Sequence, residues 1–241
     1  MNRHFKYWRD ERPWRATPVK CMWAFALAVL LQITWGFLRP SAEAQAEDLP
    51  APPQGPQLRL AGLDDPIALA KVLMLWLQAF DNQPGISIPF KQLDYTRLIE
   101  WLDRILALDD RADYPLLAAS RLYSQVPDDA KKRRMLEFVR EKFLLAPDRR
   151  WRWLAHCIFV AKYQIKDLEL ALDYARTLRQ NARSPAVPFW ARDMEVYVLE
   201  DTGEIEAAKV LIGGLLEHEA IDDPAEIRFL QDRLLKLEEA P

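Results

Sequence analysis

A metal site or a nucleophilic active site would have to be built from three histidines, two cysteines and 36 acidic residues. His4 lies in a basic stretch, His218 stands between Glu217 and Glu219, and His156 is followed directly by Cys157. Adjacent residues on a helix point about 100° apart, too divergent for His156 and Cys157 to grip one ion. No His-Glu-x-x-His spacing occurs. Cys157 has Leu154, Ile158, Phe159 and Val160 around it, so we expect a buried, inert thiol. A reactive thiol would instead need a base and a lowered pKa. Glycoside hydrolysis requires two carboxyl groups about 5–10 Å apart, and no spacing singles out such a pair. Phosphate-cradling Gly-x-x-x-x-Gly-Lys and Gly-x-Gly-x-x-Gly loops are missing. On these grounds no catalytic, cofactor-binding or metal-ligating residue is assigned.

Recognition chemistry is better represented. Arg149-Arg150-Trp151-Arg152-Trp153 concentrates the two residue types most enriched at binding hot spots, and they can stack on one another. Two aromatics opening a helix serve equally well as packing between helices, so both readings stand. Lys131-Lys132-Arg133-Arg134 follows Asp128-Asp129 at a helix start and reads as a solvated face. Contact with anionic headgroups is its alternative.

Half of the residues are apolar and only seven are glycine, which argues for a sizeable helical core. Residues 1–40 hold seven Lys/Arg against two acids, leaving 26 against 34 in residues 41–241. That acidic body argues against a nucleic-acid partner, which needs a positive field facing phosphate. With only Cys21 and Cys157 available, and far apart, no disulfide framework is expected.

Residues 1–20 form a basic tail with Arg3, Lys6, Arg9, Arg12, Arg15 and Lys20. An uncharged run follows at 21–38, long enough at 1.5 Å per residue for about 27 Å of a hydrocarbon core about 30 Å thick. Trp23 and Trp35 fall near its ends, where interfacial aromatics belong. The positive amino-terminal side predicts a cytoplasmic amino terminus and an exported remainder. A cleaved signal peptide is the rival reading, with Ala44-Gln45-Ala46 as a small-x-small site. Residues 39–64 contain Pro40, Pro50, Pro52, Pro53 and Pro56, and we expect an extended spacer there.

The helical domain is expected over 65–241. Asp65-Pro66 and Asp223-Pro224-Ala225-Glu226 look like helix starts, with Glu226 placed to complete a capping box. Nine helices are predicted, at about 66–80, 94–108, 113–125, 129–145, 149–163, 167–181, 187–201, 204–218 and 224–238. Residues 67–80 are nearly all apolar but too few to span a bilayer. A buried core helix is preferred there, and a helix lying in the membrane interface is the alternative. Asp81 to Pro89 forms the longest internal loop.

Helix pairs recur. Tyr114-Pro115-Leu116-Leu117-Ala118 aligns with Trp151-Arg152-Trp153-Leu154-Ala155 at an offset of 37, and with Val187-Pro188-Phe189-Trp190-Ala191 36 residues later. Met135, Leu172 and Ala208 correspond in the second helices, as do Phe138, Ala175 and Leu211. Gly203-Glu204-Ile205-Glu206-Ala207-Ala208 and Leu145-Ala146-Pro147-Asp148 resemble the turn and helix-ending junction of tetratricopeptide repeats. The resemblance covers about residues 94–220, without the family's full Trp-x-x-Leu-Gly-x-x-Tyr signature. It implies an all-α, right-handed solenoid of stacked helix pairs that binds other proteins. The last helix reads as its polar cap.

The expected function is that of a non-enzymatic interaction or scaffold protein of the cell envelope. It would be single-pass in a bacterial inner membrane through residues 21–38, with its helical domain periplasmic. An envelope protein is the expected partner, contacting Tyr114, Arg121, Arg149, Trp151, Arg152 and Trp190 on the first helices of the pairs. A structural subunit of a larger membrane complex, or an exported hydrolase acting on envelope glycan, are the alternatives.

Overall fold

The computed structural model describes residues 18–38, 48–62, 65–80, 82–83, 86–217, 221 and 223–239. The chain divides between residues 45 and 46 into two units. In the first, α1 (Val19–Leu38) is a 20-residue apolar helix with a mean hydropathy of 1.8 and no buried residue. Thr34 Oγ1 donates to Leu30 O at 2.8 Å, so its hydroxyl is satisfied within the helix, as a lipid environment would demand. By length and composition α1 can cross a membrane.

The spacer expectation for 39–64 needs correction. Residues 39–47, 63 and 64 lie outside the described residues, but 48–62 belong to the packed domain. Leu49 is in the core, Pro50 O accepts from Trp101 Nε1 at 2.8 Å, and Gly55–Ala61 form a short helix, α2, with Leu58 buried. Pro56 lies in the first turn of α2, where a missing N–H costs nothing. Proline delayed the helix here without forbidding it.

The remaining helices are α3 (Pro66–Ala79), α4 (Tyr95–Leu108), α5 (Tyr114–Leu117), α6 (Asp129–Leu145), α7 (Pro147–Phe159), α8 (Leu168–Asn181), α9 (Phe189–Arg192), α10 (Met194–Thr202), α11 (Ile205–Glu217) and α12 (Pro224–Glu238). Five of these helices, α3, α4, α6, α8 and α12, start for a common reason. Asp65, Asp94, Asp128, Asp167 and Asp223 each accept a hydrogen bond from a backbone N–H two or three residues on. Glu226 does not complete a box with Asp223; it is buried and paired with Arg192 instead. The loop expected at 81–89 carries a small antiparallel ribbon, β1 (Asn82–Gln83) with β2 (Ile86–Ser87).

Helices pack in chain order: α3 on α4, α6 on α7, α7 on α8, α8 on α10, α10 on α11 and α11 on α12. One continuous core runs through them, from Leu98 and Ile105 through Met135, Phe143 and Leu154 to Leu178 and Ile212. Of the positions aligned by the 36–37 residue period, the small and second-helix ones are mostly interior, while Tyr114, Arg152 and Trp190 are exposed. Ala118 and Ala191 are fully buried, as are Met135 and Ala208, while Ala155, Phe138 and Leu172 retain only a few per cent exposure.

Two predicted straight helices are locally overwidened. α5 continues as a π-helical turn over Ala118–Leu122 and a 3-10 turn over Tyr123–Gln125, and α7 continues as a π-helical turn over Val160–Ile165. The second of these ends in Lys166, left-handed at φ 61°, where Lys166 N and Asp167 N both donate to Ala161 O. Gly203, at φ 78°, ends α10 in the same left-handed region without a Cβ to strain.

A buried arginine joins three elements. Arg150 on α7 donates to Lys142 O at the end of α6 (2.6 Å) and to Asp110 O in the α4–α5 turn (2.7 Å). Burial lowers its pKa, most of all by desolvation and then by the neighbouring Arg149 charge. Arg150→Ala is expected to lower stability by about 1–3 kcal/mol, since it removes two charge-assisted hydrogen bonds, while Asp110 O keeps its bond from Arg149. Arg150→Lys should recover little, because one ammonium lacks the planar fork; chemical denaturation measures both. Lys166→Gly should raise stability by about 0.5–1 kcal/mol by relieving the left-handed strain, read from the shift in the denaturation midpoint.

Candidate interaction surface and a buried polar joint

Tyr114, at the start of α5, is half exposed, and its Oη accepts from Gln78 Nε2 of α3. It borders a groove of 480 Å³ between α3 and the α4–α5 turn, floored by Met74 and Ile105. Arg121 is exposed in the π-helical turn and close enough to His156 of α7 to act on its charge. Trp151 packs partly against the core and meets Trp190 of α9 edge to face, ring centroids 5.5 Å apart. Trp190 keeps 47% of its surface exposed. Arg152 is exposed, its guanidinium 5.9 Å from the Trp153 ring centroid.

Arg149 is engaged within the molecule. It reaches Asp110 O at 2.8 Å and Asp110 Oδ2 at 3.0 Å, and so shares in clamping the α4–α5 turn. The basic run 131–134 is likewise committed. Lys131 Nζ donates to Lys91 O and Leu93 O, Lys132 pairs with Asp129, Arg133 with Asp167, and Arg134 Nη1 donates to Thr96 Oγ1.

The six predicted residues therefore separate. Trp151 and Trp190 come together; Tyr114 belongs to the groove, Arg121 to the neighbourhood of His156, and Arg149 to a structural clamp. Arg152, the sixth, opens a stripe whose other members sequence reading did not assign to it: His156, Phe159 and Tyr163. Phe159 and Tyr163 are 46% and 55% exposed, with ring centroids 4.8 Å apart. His156 stacks on Phe159 at 5.9 Å and 18°. Burial first, and then Arg121, push the His156 pKa down, so its ring is neutral at ordinary pH. The signal was present in the spacing of four, three and four residues, which places all four on one helical face. It was masked because Phe159 also reads as an apolar neighbour of Cys157. That thiol is fully buried, and burial pushes its pKa up, as expected for an inert cysteine.

A second feature is the polar joint where α8, α9, α10 and α12 meet. Glu195 is buried and accepts from Arg176 Nε (3.0 Å) and Arg179 Nε (2.5 Å) of α8. Arg192 of α9 pairs with Glu226 of α12 at 2.7 Å. Asp193, in the break between α9 and α10, is 1% exposed, and its Oδ2 has no hydrogen-bond partner. Arg179, Arg192, Asp193 and Glu226 border a cavity of 340 Å³. Burial, and then the Glu226 charge, raise the Asp193 pKa to about 7. The cavity is lined by Arg179, Arg183 and Arg192 as well as by two carboxyls, and Glu226 is held by Arg192. That is the charge balance of a joint between helices, and it is a poor match to the opposed acid pair a glycosidase requires. No sequence spacing pointed to Asp193, whose burial arises from helices distant in the chain. Among the described residues, no group of three or more His, Cys, Asp or Glu could hold a metal ion.

Because the folded-state pKa of Asp193 lies above its ordinary value, its contribution is fully present below about pH 4 and is lost as pH rises through about 7. Asp193→Asn should therefore stabilise the domain at pH 8, by roughly 1–3 kcal/mol, and have little effect at pH 4. Thermal melts of both proteins across pH 4–8 test this; a constant difference would refute it. Compared with known proteins, the chain matches no family model, no curated protein and no solved structure.

Proposed function

We propose that this chain is a non-enzymatic, membrane-anchored interaction protein of the bacterial cell envelope. In this reading α1 crosses the inner membrane, with the basic residues before it on the cytoplasmic side and the helical domain in the periplasm. The helix pairs form a right-handed stack like that of tetratricopeptide repeats, and its exposed first-helix side chains hold another envelope protein. The observation that carries the reading is the α7 stripe of Arg152, His156, Phe159 and Tyr163. Exposed aromatic rings grouped with a guanidinium are costly in water and are the composition of binding hot spots. The Trp151–Trp190 contact and Arg121 extend the same chemistry onto neighbouring elements. Confinement to one membrane raises the effective concentration of a membrane partner, so modest intrinsic affinity suffices.

A photo-crosslinkable residue at position 163 of the full-length protein, in native membranes, should trap one envelope protein. The same probe at Glu141, exposed on α6, should not. Arg152→Ala combined with Phe159→Ala should weaken that capture tenfold or more, about 1.4 kcal/mol. The melting temperature should fall by less than about 5 °C. Equal trapping from both positions, or unchanged capture by the double variant, would overturn the proposal. Trp151 is left intact in this test because it packs on the core.

A further inference from the structure

Helix α3 uses only one of its faces for the domain core. Ala70, Met74 and Leu77 are buried, whereas Ile67, Val72 and Leu75 on the other side are 50%, 60% and 65% exposed, with Trp76 at 37%. Leu60 of α2 adds an apolar side chain that is 79% exposed. The one charge within α3 is Lys71, which is exposed in the same stripe, and no acid occurs in the helix. A run of large apolar side chains left open on a folded domain marks a surface that something covers.

We propose that the outward face of α3 lies in the lipid interface of the membrane that α1 spans. This rests on the anchor reading of α1 and extends it to a second attachment point. Three observations select lipid over a protein partner. First, only 11 residues separate Leu38 from Leu49, which already belongs to the domain core, so the free chain reaches about 40 Å at most and the patch never leaves the neighbourhood of the bilayer holding α1. Second, the 14 residues of α3 are too few to cross a bilayer, and one face is spent on the core, so the helix can lie in the plane of the interface but not span it. Third, Lys71 and Trp76 are residue types that interfaces accept: the lysine stem lies along apolar surface while its ammonium reaches a headgroup, and the indole, packed on Phe80 and Trp101 within the domain, keeps an exposed edge of the kind that prefers the boundary. The result is a domain seated on the membrane through α3, and not one swinging freely on its tether.

The test uses the full-length protein, with Cys21→Ser, in vesicles of phosphatidylethanolamine and phosphatidylglycerol; Cys157 is fully buried. Single spin labels are placed through Leu30→Cys in α1, Leu75→Cys in α3 and Glu141→Cys in α6. Collision with oxygen, which partitions into lipid, is compared with collision with a water-soluble nickel complex. The labels at 30 and 75 should both favour oxygen several-fold over the label at 141, and Val72→Cys should repeat the result. A lipid-exposed label at 30 with a nickel-accessible label at 75 overturns this inference and leaves the anchor standing. A nickel-accessible label at 30 overturns the anchor reading and the inference with it. A label at 75 shielded from both reagents shows that protein, such as a second copy of the chain, covers α3 and overturns the lipid assignment.

Discussion

Everything in the helical domain depends on one constraint: a helix with an apolar face must have that face covered by a neighbour. Ala118, Ala155 and Ala191, which recur at the 36–37 residue period, are buried in every case, small side chains that take little room in a close-packed interior. Larger side chains, including Phe143, Leu154 and Tyr174, fill the space behind them. Because contacts run from each element to its neighbours in order, the core is continuous along the chain.

Charge follows from that arrangement. Covering one element with another traps polar groups at the seams, and the domain pairs them across helices: Arg133 with Asp167, Arg192 with Glu226, Arg233 with Glu200, Arg176 and Arg179 with Glu195. Where the carboxylate is buried, as at Glu195 and Glu226, such a pair is a weak source of net stability but severe to break from one side. They fix which helix meets which. Asp193 is the exception in that seam, a buried carboxyl with one oxygen unpartnered, and its raised pKa is the consequence. The seam thereby acquires a sensitivity to pH, to which Glu226 adds, since burial raises its pKa as well.

What remains outside these demands is the material for function. The Arg152–Tyr163 stripe and the outer face of α3 are both rich in exposed rings or aliphatic side chains, and neither serves the core. They differ in chemistry. The α7 stripe joins aromatics to a guanidinium and a neutral histidine, a surface suited to directional contacts with protein. The α3 face is aliphatic with a single lysine and one indole, suited to a fluid apolar medium bounded by phosphate.

The sequence by itself determined the elements and most of their limits. Aspartate caps, prolines in first turns and 3.6-residue periodicity are local signals, and local hydrogen bonding makes the helices start at Pro66, Asp129 and Pro224 as read. The apolar run of α1 was equally legible, because hydropathy needs no partner. Tertiary structure decided the rest. It folded residues 48–62 into the domain, since Leu49 and Pro50 find their partners about 50 residues away on α4. It turned Arg149 from a candidate contact into a clamp, bound the 131–134 run, read as a solvated face, to neighbouring elements, and made Glu226 half of an ion pair in place of a cap. It widened α5 and α7 into π turns and left α3 with one buried and one open apolar face. A residue's type states what it can bond to, but only the arrival of distant helices settles whether that capacity is used inside the fold or left at the surface.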